Sequence, residues 1–152
     1  MANNTEQHYI VTLDGPAGVG KTTLARRVAD HLSIAYLDTG AMYRAVALGL
    51  GDKSWRQTDD RLRKALKKMR FTLKGSGAYT KLLLDGVELG DELRTEEVGK
   101  WASNIATLPI VRAYLTKAQQ AIGRSISLAA EGRDMGTVVF PQADFKFFLS
   151  AT

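Results

Sequence analysis

Short apolar runs broken by turn-forming residues mark out this chain, and the period of the runs changes along it. Tyr9-Ile10-Val11-Thr12-Leu13 is rich in strand formers and stops at Asp14-Gly15-Pro16, which predicts a strand and a turn. From Thr22 the period becomes helical, with Leu24, Val28 and Leu32 forming the apolar face and Arg26, Arg27 and Asp30 off it. Ala35-Tyr36-Leu37 predicts a second strand with a turn at Asp38-Thr39-Gly40, and Met42 to Leu50 a helix closed by Gly51. Strand, glycine loop, helix, strand is the rhythm of a βαβ unit.

Beyond it, Thr58-Asp59-Asp60 starts a helix striped by Leu62, Leu66 and Met69. Its basic residues Arg61, Arg63, Lys64, Lys67 and Lys68 read as a solvated face, because no aromatics interleave with them as in a nucleic-acid groove. Phe71-Thr72-Leu73 and Leu82-Leu83-Leu84 flank Gly75-Ser76-Gly77, and Asp85-Gly86 is a hairpin signal before Val87. This predicts a small antiparallel meander over about residues 70–94, inserted into the α/β frame. Thr95 with Glu96 and Glu97 starts a helix buried through Val98, Trp101, Ala102 and Ile105. Pro109 opens another, striped by Val111, Leu115, Ala118 and Ile122. Ser127 to Ala130 and Phe145 to Leu149 complete the strands. The fold class is α/β, a single domain with a mostly parallel sheet.

Composition narrows the chemistry only a little. The 152 residues are 45% hydrophobic and 24% charged, which fits a globular domain and not a disordered or collagen-like chain. With no cysteine there is no disulfide framework, cysteine zinc site or thiol catalysis, in keeping with the cytoplasm. No apolar run approaches the ~20 residues of a membrane helix, and the polar start MANNTEQH is not a signal peptide. A net charge of +5 favours an anionic partner without naming it. His8 and His31 stand too far apart for a metal pair, and Trp55 and Trp101 read as packing residues.

Specific chemistry enters with Gly15-Pro16-Ala17-Gly18-Val19-Gly20-Lys21-Thr22. It matches the phosphate-binding loop G-x-x-x-x-G-K-[ST] and lies between a strand and a helix, as that motif requires. Glycines let backbone N–H groups turn onto phosphate oxygens, and the helix N-terminus adds partial positive charge. Lys21 has the reach for β- and γ-phosphates, and the Thr22 hydroxyl suits Mg²⁺, but the loop alone does not separate a GTPase, an ATPase and a small-molecule kinase. The D-x-x-G and N-K-x-D motifs of a GTPase do not occur. Asp14 precedes the loop, where a contact to Mg²⁺ or acceptor through water and structural support of the turn are both open. Arg44, one helical turn beyond the second strand, suits a second anion, since guanidinium holds phosphate through paired hydrogen bonds. Glu131-Gly132-Arg133-Asp134 ends a core strand. Ligands of open parallel sheets bind beyond the carboxyl ends of the strands, so these segments should meet on one rim.

Taken together, Asp14 to Thr22, Asp38-Thr-Gly-Ala-Met-Tyr-Arg44, Glu92-Leu-Arg-Thr95, Ala102-Ser103, Pro109-Ile-Val-Arg112 and Gly132-Arg-Asp-Met-Gly-Thr-Val-Val-Phe-Pro141 resemble the bacterial cytidylate kinase family. The resemblance runs from residue 9 to the end of the chain. It implies a P-loop three-layer fold, with the meander as the monophosphate-binding region. It implies transfer of the γ-phosphoryl of ATP, with Mg²⁺, to CMP or dCMP. Gly15 to Thr22 would hold ATP, and Lys21, Arg44 and Arg133 would be catalytic. Thr39, Arg44 and Arg133 would hold the acceptor phosphate, and Ser103, Arg112 and Asp134 would read the cytosine edge. Specific nucleic-acid or membrane partners are not implied, and the family resemblance points to a monomer when the C-terminal part is present.

The family pattern continues past Thr152, with a lid, a further strand and a closing helix. The chain is therefore expected to be truncated before the lid, leaving Phe145 to Leu149 as an unpaired aromatic edge. A kinase for another small acceptor, and a nucleotide-binding fragment without turnover, are the alternatives.

Overall fold

A computed structural model of the chain describes residues 8–151, so most of the polar leader and Thr152 lie outside it. Among the described residues seven strands and five α-helices follow one another as β1 Ile10–Asp14, α1 Lys21–Leu32, β2 Ala35–Asp38, α2 Thr39–Leu50, α3 Asp59–Lys67, β3 Phe71–Lys74, β4 Lys81–Leu84, β5 Val87–Glu88, α4 Glu96–Ile105, α5 Pro109–Ser125, β6 Leu128–Gly132 and β7 Phe145–Phe148. The main sheet is parallel, in the order β2-β6-β1-β7. The first two strands are thus not neighbours: β6 lies between them, a pairing that no local pattern in the βαβ segment encodes.

Side chains alternate across the sheet and separate the core into two layers. Val11, Leu13, Tyr36 and Ala129 face α1, while Ala35, Leu37, Leu128 and Ala130 face the larger helical layer with Met42, Val46, Ile105, Val111 and Leu115. Helix α1 differs from its sequence reading. Its buried residues are Ala25 and Ala29, whereas Leu24 and Leu32 are each 41% exposed. Alanine lets the helix backbone lie close to the sheet, and that close approach wins over burial of the leucines. Helix α2 also begins earlier than expected. Asp38 is its N-cap and accepts from Ala41 N at 3.0 Å, so Thr39 and Gly40 form the first turn and not a loop. The starts of α3 and α4 are capped by Thr58 and Thr95 as their sequences predict.

Strands β3, β4 and β5 form the antiparallel meander, with Asp85 and Gly86 both left-handed in the two-residue turn. The β3–β4 connection returns to the main sheet. Gly77 N donates to Ile34 O at 2.7 Å, Tyr36 N to Thr80 Oγ1 at 3.0 Å, and Ala78 N to Asp30 Oδ1 at 2.6 Å. These contacts cover the outer edge of β2. At the opposite edge no strand among the described residues pairs with the outer side of β7, and Phe145, Phe147 and Phe148 are exposed.

Candidate active site

Register brings the strand ends level. Asp14 of β1 pairs with Gly132 of β6, and Asp38 of β2 pairs with Glu131. The glycine loop, the start of α2 and the Arg133-Asp134 turn therefore leave the sheet on one rim, where open parallel sheets hold ligands.

The loop Gly15–Gly20 has the geometry of an anion cradle. Gly15 takes φ +150°, and a Cβ there would collide with the Leu149 carbonyl oxygen, so this position admits only glycine. Gly20, at φ +89°, is the N-cap of α1, which has no side-chain cap and no acidic residue in its first turn. The leading N–H groups of α1 are left facing the loop. Lys21 Nζ folds over the same loop and donates to Gly15 O at 2.9 Å and Pro16 O at 3.3 Å. Pro16, Ala17 and Gly18 are exposed on the loop and Val19 is half-buried.

Behind the loop lies a buried polar cluster that sequence reasoning left without a role. Glu131, 4% exposed, shares the α1-facing side of the sheet with Leu13 and Tyr36. Thr22 Oγ1 lies 2.9 Å from both carboxylate oxygens, and the Tyr36 hydroxyl donates to Oε1. Burial raises the Glu131 pKa, against the hydrogen bonds from Tyr36 and Thr22 and the charge of Lys21, which lower it. The Tyr36 phenol is likewise pushed far above its ordinary value, first by burial and then by the charge of Asp38. Arg26 sits over its ring, 5.2 Å from the centroid. An acidic residue closing the apolar run Leu128-Ala129-Ala130 was the available signal for Glu131. Nothing local signalled Tyr36.

Among the described residues no group of three or more His, Cys, Asp or Glu could hold a metal. The Thr22 hydroxyl beside the Glu131 carboxylate is a pair of hard oxygen donors. It fits Mg²⁺, which takes one or two protein oxygens and completes its shell with phosphates and water.

Further along the rim, Thr39 is 3% exposed and its hydroxyl donates to Glu131 O at 2.7 Å. Arg44 pairs with Asp38 at 3.6 Å, and Gly40 leaves room for the pair. Arg112 of α5 donates to Asp134 Oδ2 at 3.1 Å. The Tyr43 phenol lies within the fields of both, its pKa raised by burial and held back by Arg112. Arg133 is exposed and belongs to none of the ion pairs among the described residues. Ser103 is exposed too, and its hydroxyl donates to Gly99 O at 3.1 Å in its own helix. The structure thus joins Arg112 to Asp134 and Thr39 to the β6 end, while Ser103 makes no bond to either. For Asp14, both carboxylate oxygens accept backbone N–H groups, Oδ1 from Met135 and Oδ2 from Gly136, so it faces the turn after β6.

The cytidylate kinase family model matches residues 11–152. Cytidylate kinase of Maridesulfovibrio salexigens is 61% identical over 143 residues, which cover 94% of this chain and 64% of that protein. That of Oleidesulfovibrio alaskensis is 58% identical over 96% of this chain and 67% of its own length. That of Thermosipho melanesiensis is 45% identical over 93% of this chain and 63% of its own. The chain spans just under two thirds of the length of the first and third of these relatives and two thirds of the second.

Proposed function

The chain belongs to the cytidylate kinase family, and from that premise we propose that it transfers the γ-phosphoryl group of ATP to CMP or dCMP, yielding CDP or dCDP and ADP. The observation that carries this reading is the common rim: phosphate loop, Arg44 and Arg133-Asp134 stand at the level ends of β1, β2 and β6.

In this mechanism Gly15 to Thr22 bind the ATP phosphates through backbone N–H groups, and Lys21 exchanges the Gly15 and Pro16 carbonyls for β- and γ-phosphate oxygens. Thr22, backed by Glu131, would hold Mg²⁺, which supplies neutralising charge to the phosphates when bound. Arg44 and Arg133 neutralise the acceptor phosphate so that its oxygen can approach in line. Thr39 orients this region through the Glu131 carbonyl. A strong base is unnecessary, because a monophosphate oxygen is already anionic at neutral pH. Phosphoryl transfer depends on such positioning and charge, and requires no covalent intermediate.

Base recognition falls to Ser103, Arg112 and Asp134. Cytosine offers an amine donor beside the acceptors N3 and O2. Asp134 and Ser103 accept from the amine, and Arg112 donates to the acceptors. Uracil reverses part of this pattern and would leave polar groups unpaired once the bound base covers them. Such an enzyme would serve the cytoplasmic nucleotide pool.

The test is ADP release from ATP with CMP, dCMP, UMP or AMP as acceptor, beside calorimetric titration of each at two salt concentrations. Turnover with CMP or dCMP above UMP and AMP supports the proposal. Salt-resistant CMP binding without turnover would make the chain a nucleotide-binding module instead. Equal response to all four would move the acceptor to another class.

A further inference from the structure

Asp14 is a buried acidic residue at the end of β1, and the Lys146 stem that passes the same glycine, Gly136, makes no ion pair with it. Asp14 is 5% exposed and belongs to none of the ion pairs among the described residues. Its charge is held by backbone N–H groups: Met135 N donates to Oδ1 and Gly136 N to Oδ2, each at 2.8 Å. Its own carbonyl accepts from Leu149 N at 2.8 Å. A carboxylate taken from water and answered by two N–H groups is a costly arrangement, and its geometry is correspondingly constrained.

What the two hydrogen bonds hold is the wide turn that follows β6. In Met135–Val139 the backbone forms a π-type turn, with Phe140 N donating to Met135 O at 2.6 Å. The first N–H groups of any helical turn lack partners within it, and Asp14 supplies them here. Gly136 is part of the fit. A Cβ on it would come within 2.8 Å of Thr12 Oγ1 and 3.4 Å of Asp14 Oδ2.

Arg133 and Asp134 lie between two points that are both fixed to this one residue. On one side Gly132 is paired with Asp14 in the sheet. On the other, Met135 N is bound to the Asp14 carboxylate. The span between these anchors is two residues long, and it is the span that carries the cationic and base-reading side chains of the acceptor site. Asp14 is also peptide-bonded to Gly15, the first residue of the phosphate loop.

We propose that Asp14 is a positioning residue for nucleotide-acceptor binding: its buried carboxylate clamps the Met135-Gly136 backbone and so sets where Arg133 and Asp134 stand relative to the phosphate loop. It acts through the backbone and touches neither nucleotide. The assignment rests on the acceptor reading given above.

Asp14→Asn tests it. The amide keeps the shape but turns an NH2 toward one of the two N–H donors, which removes one charge-assisted bond. Expected is a chain folded by circular dichroism, with a cooperative urea transition, in which CMP affinity falls about 10- to 100-fold while affinity for a non-hydrolysable ATP analogue changes little. Amide exchange at Met135 and Gly136 should accelerate by a similar factor, with Ala129 and Ala130 of β6 still protected. Gly136→Ala reaches the same contact from the other side, should give the same pattern, and decides the matter where the Asn variant does not fold.

Equal losses for CMP and the ATP analogue would mean a general structural role and overturn the assignment. So would unchanged CMP affinity with unchanged exchange. Failure of the unsubstituted chain to bind CMP would instead strike the acceptor reading, and the exchange experiment would then judge the clamp alone.

Discussion

Arg112, on α5, and Asp134, in the turn after β6, meet in a 3.1 Å ion pair. Their side chains are 50% and 32% exposed, so the pair contributes at most about 1 kcal/mol to stability. On the proposed function the pair matters for orientation, because it holds a donor and an acceptor side by side at the rim. Arg112→Met and Asp134→Ala should therefore leave the urea midpoint nearly unchanged while CMP affinity falls about tenfold or more. Calorimetry beside urea titration separates the two. A large loss of stability with unchanged affinity would reassign the pair to the fold.

Lys21 makes its hydrogen bonds to the loop carbonyls of Gly15 and Pro16, and it belongs to neither hydrophobic core cluster. Lys21→Ala should keep the melting temperature but weaken ATP binding by about 10- to 100-fold, the loss of charge-assisted hydrogen bonds to phosphate. Fluorescent nucleotide titration reads this directly.

Glu131 gives stability a pH dependence of defined sign. Its folded pKa is raised, first by burial, so over the interval between the unfolded and folded values the folded chain holds a proton that the unfolded chain has lost. Stability contributed by this site should fall as pH rises from about 4.3, and level off above the folded value. Glu131→Gln should remove the fall. Tyr36→Phe should extend it upward, because the Tyr36 hydrogen bond favours the charged carboxylate. Urea midpoints measured across pH in the presence of a chelator check all three.

Two glycines should respond with opposite signs. At Gly132 a Cβ would lie 2.6 Å from Thr39 Oγ1 and 2.9 Å from Met135 Cγ, so Gly132→Ala should cost about 1–3 kcal/mol and disturb the rim. Gly99 lies inside α4 with nothing within 4 Å of its Cβ position. There Gly99→Ala should stabilise by up to about 1 kcal/mol through helix propensity. Thermal unfolding of both variants tests the pair.

On β7, Phe145, Phe147 and Phe148 are 56%, 52% and 73% exposed beside a strand edge that is unpaired among the described residues. The chain should self-associate as its concentration rises, and Phe147→Lys should suppress this. Light scattering over a concentration series gives the answer.

Much of this protein is written in neighbouring residues. The phosphate loop, the caps Thr58 and Thr95, the Pro109 helix start and the Asp85-Gly86 hairpin are legible because each depends on atoms a few bonds apart. The Asp38 cap is equally local. It was hidden only because Asp-Thr-Gly also reads as a turn. Tertiary structure decided the rest. The pairing of β6 between β1 and β2 set which strand ends share a rim. Strand parity then put Glu131 under α1 with Tyr36 and Thr22, and Asp14 on the opposite face against Met135 and Gly136. Close approach of α1 to the sheet buried its alanines in place of its leucines. These relationships join residues up to 122 positions apart. A shift of one residue in strand register would turn Glu131 and Asp14 to the wrong faces, so their partners are fixed by sheet register and layer packing and not by any local pattern.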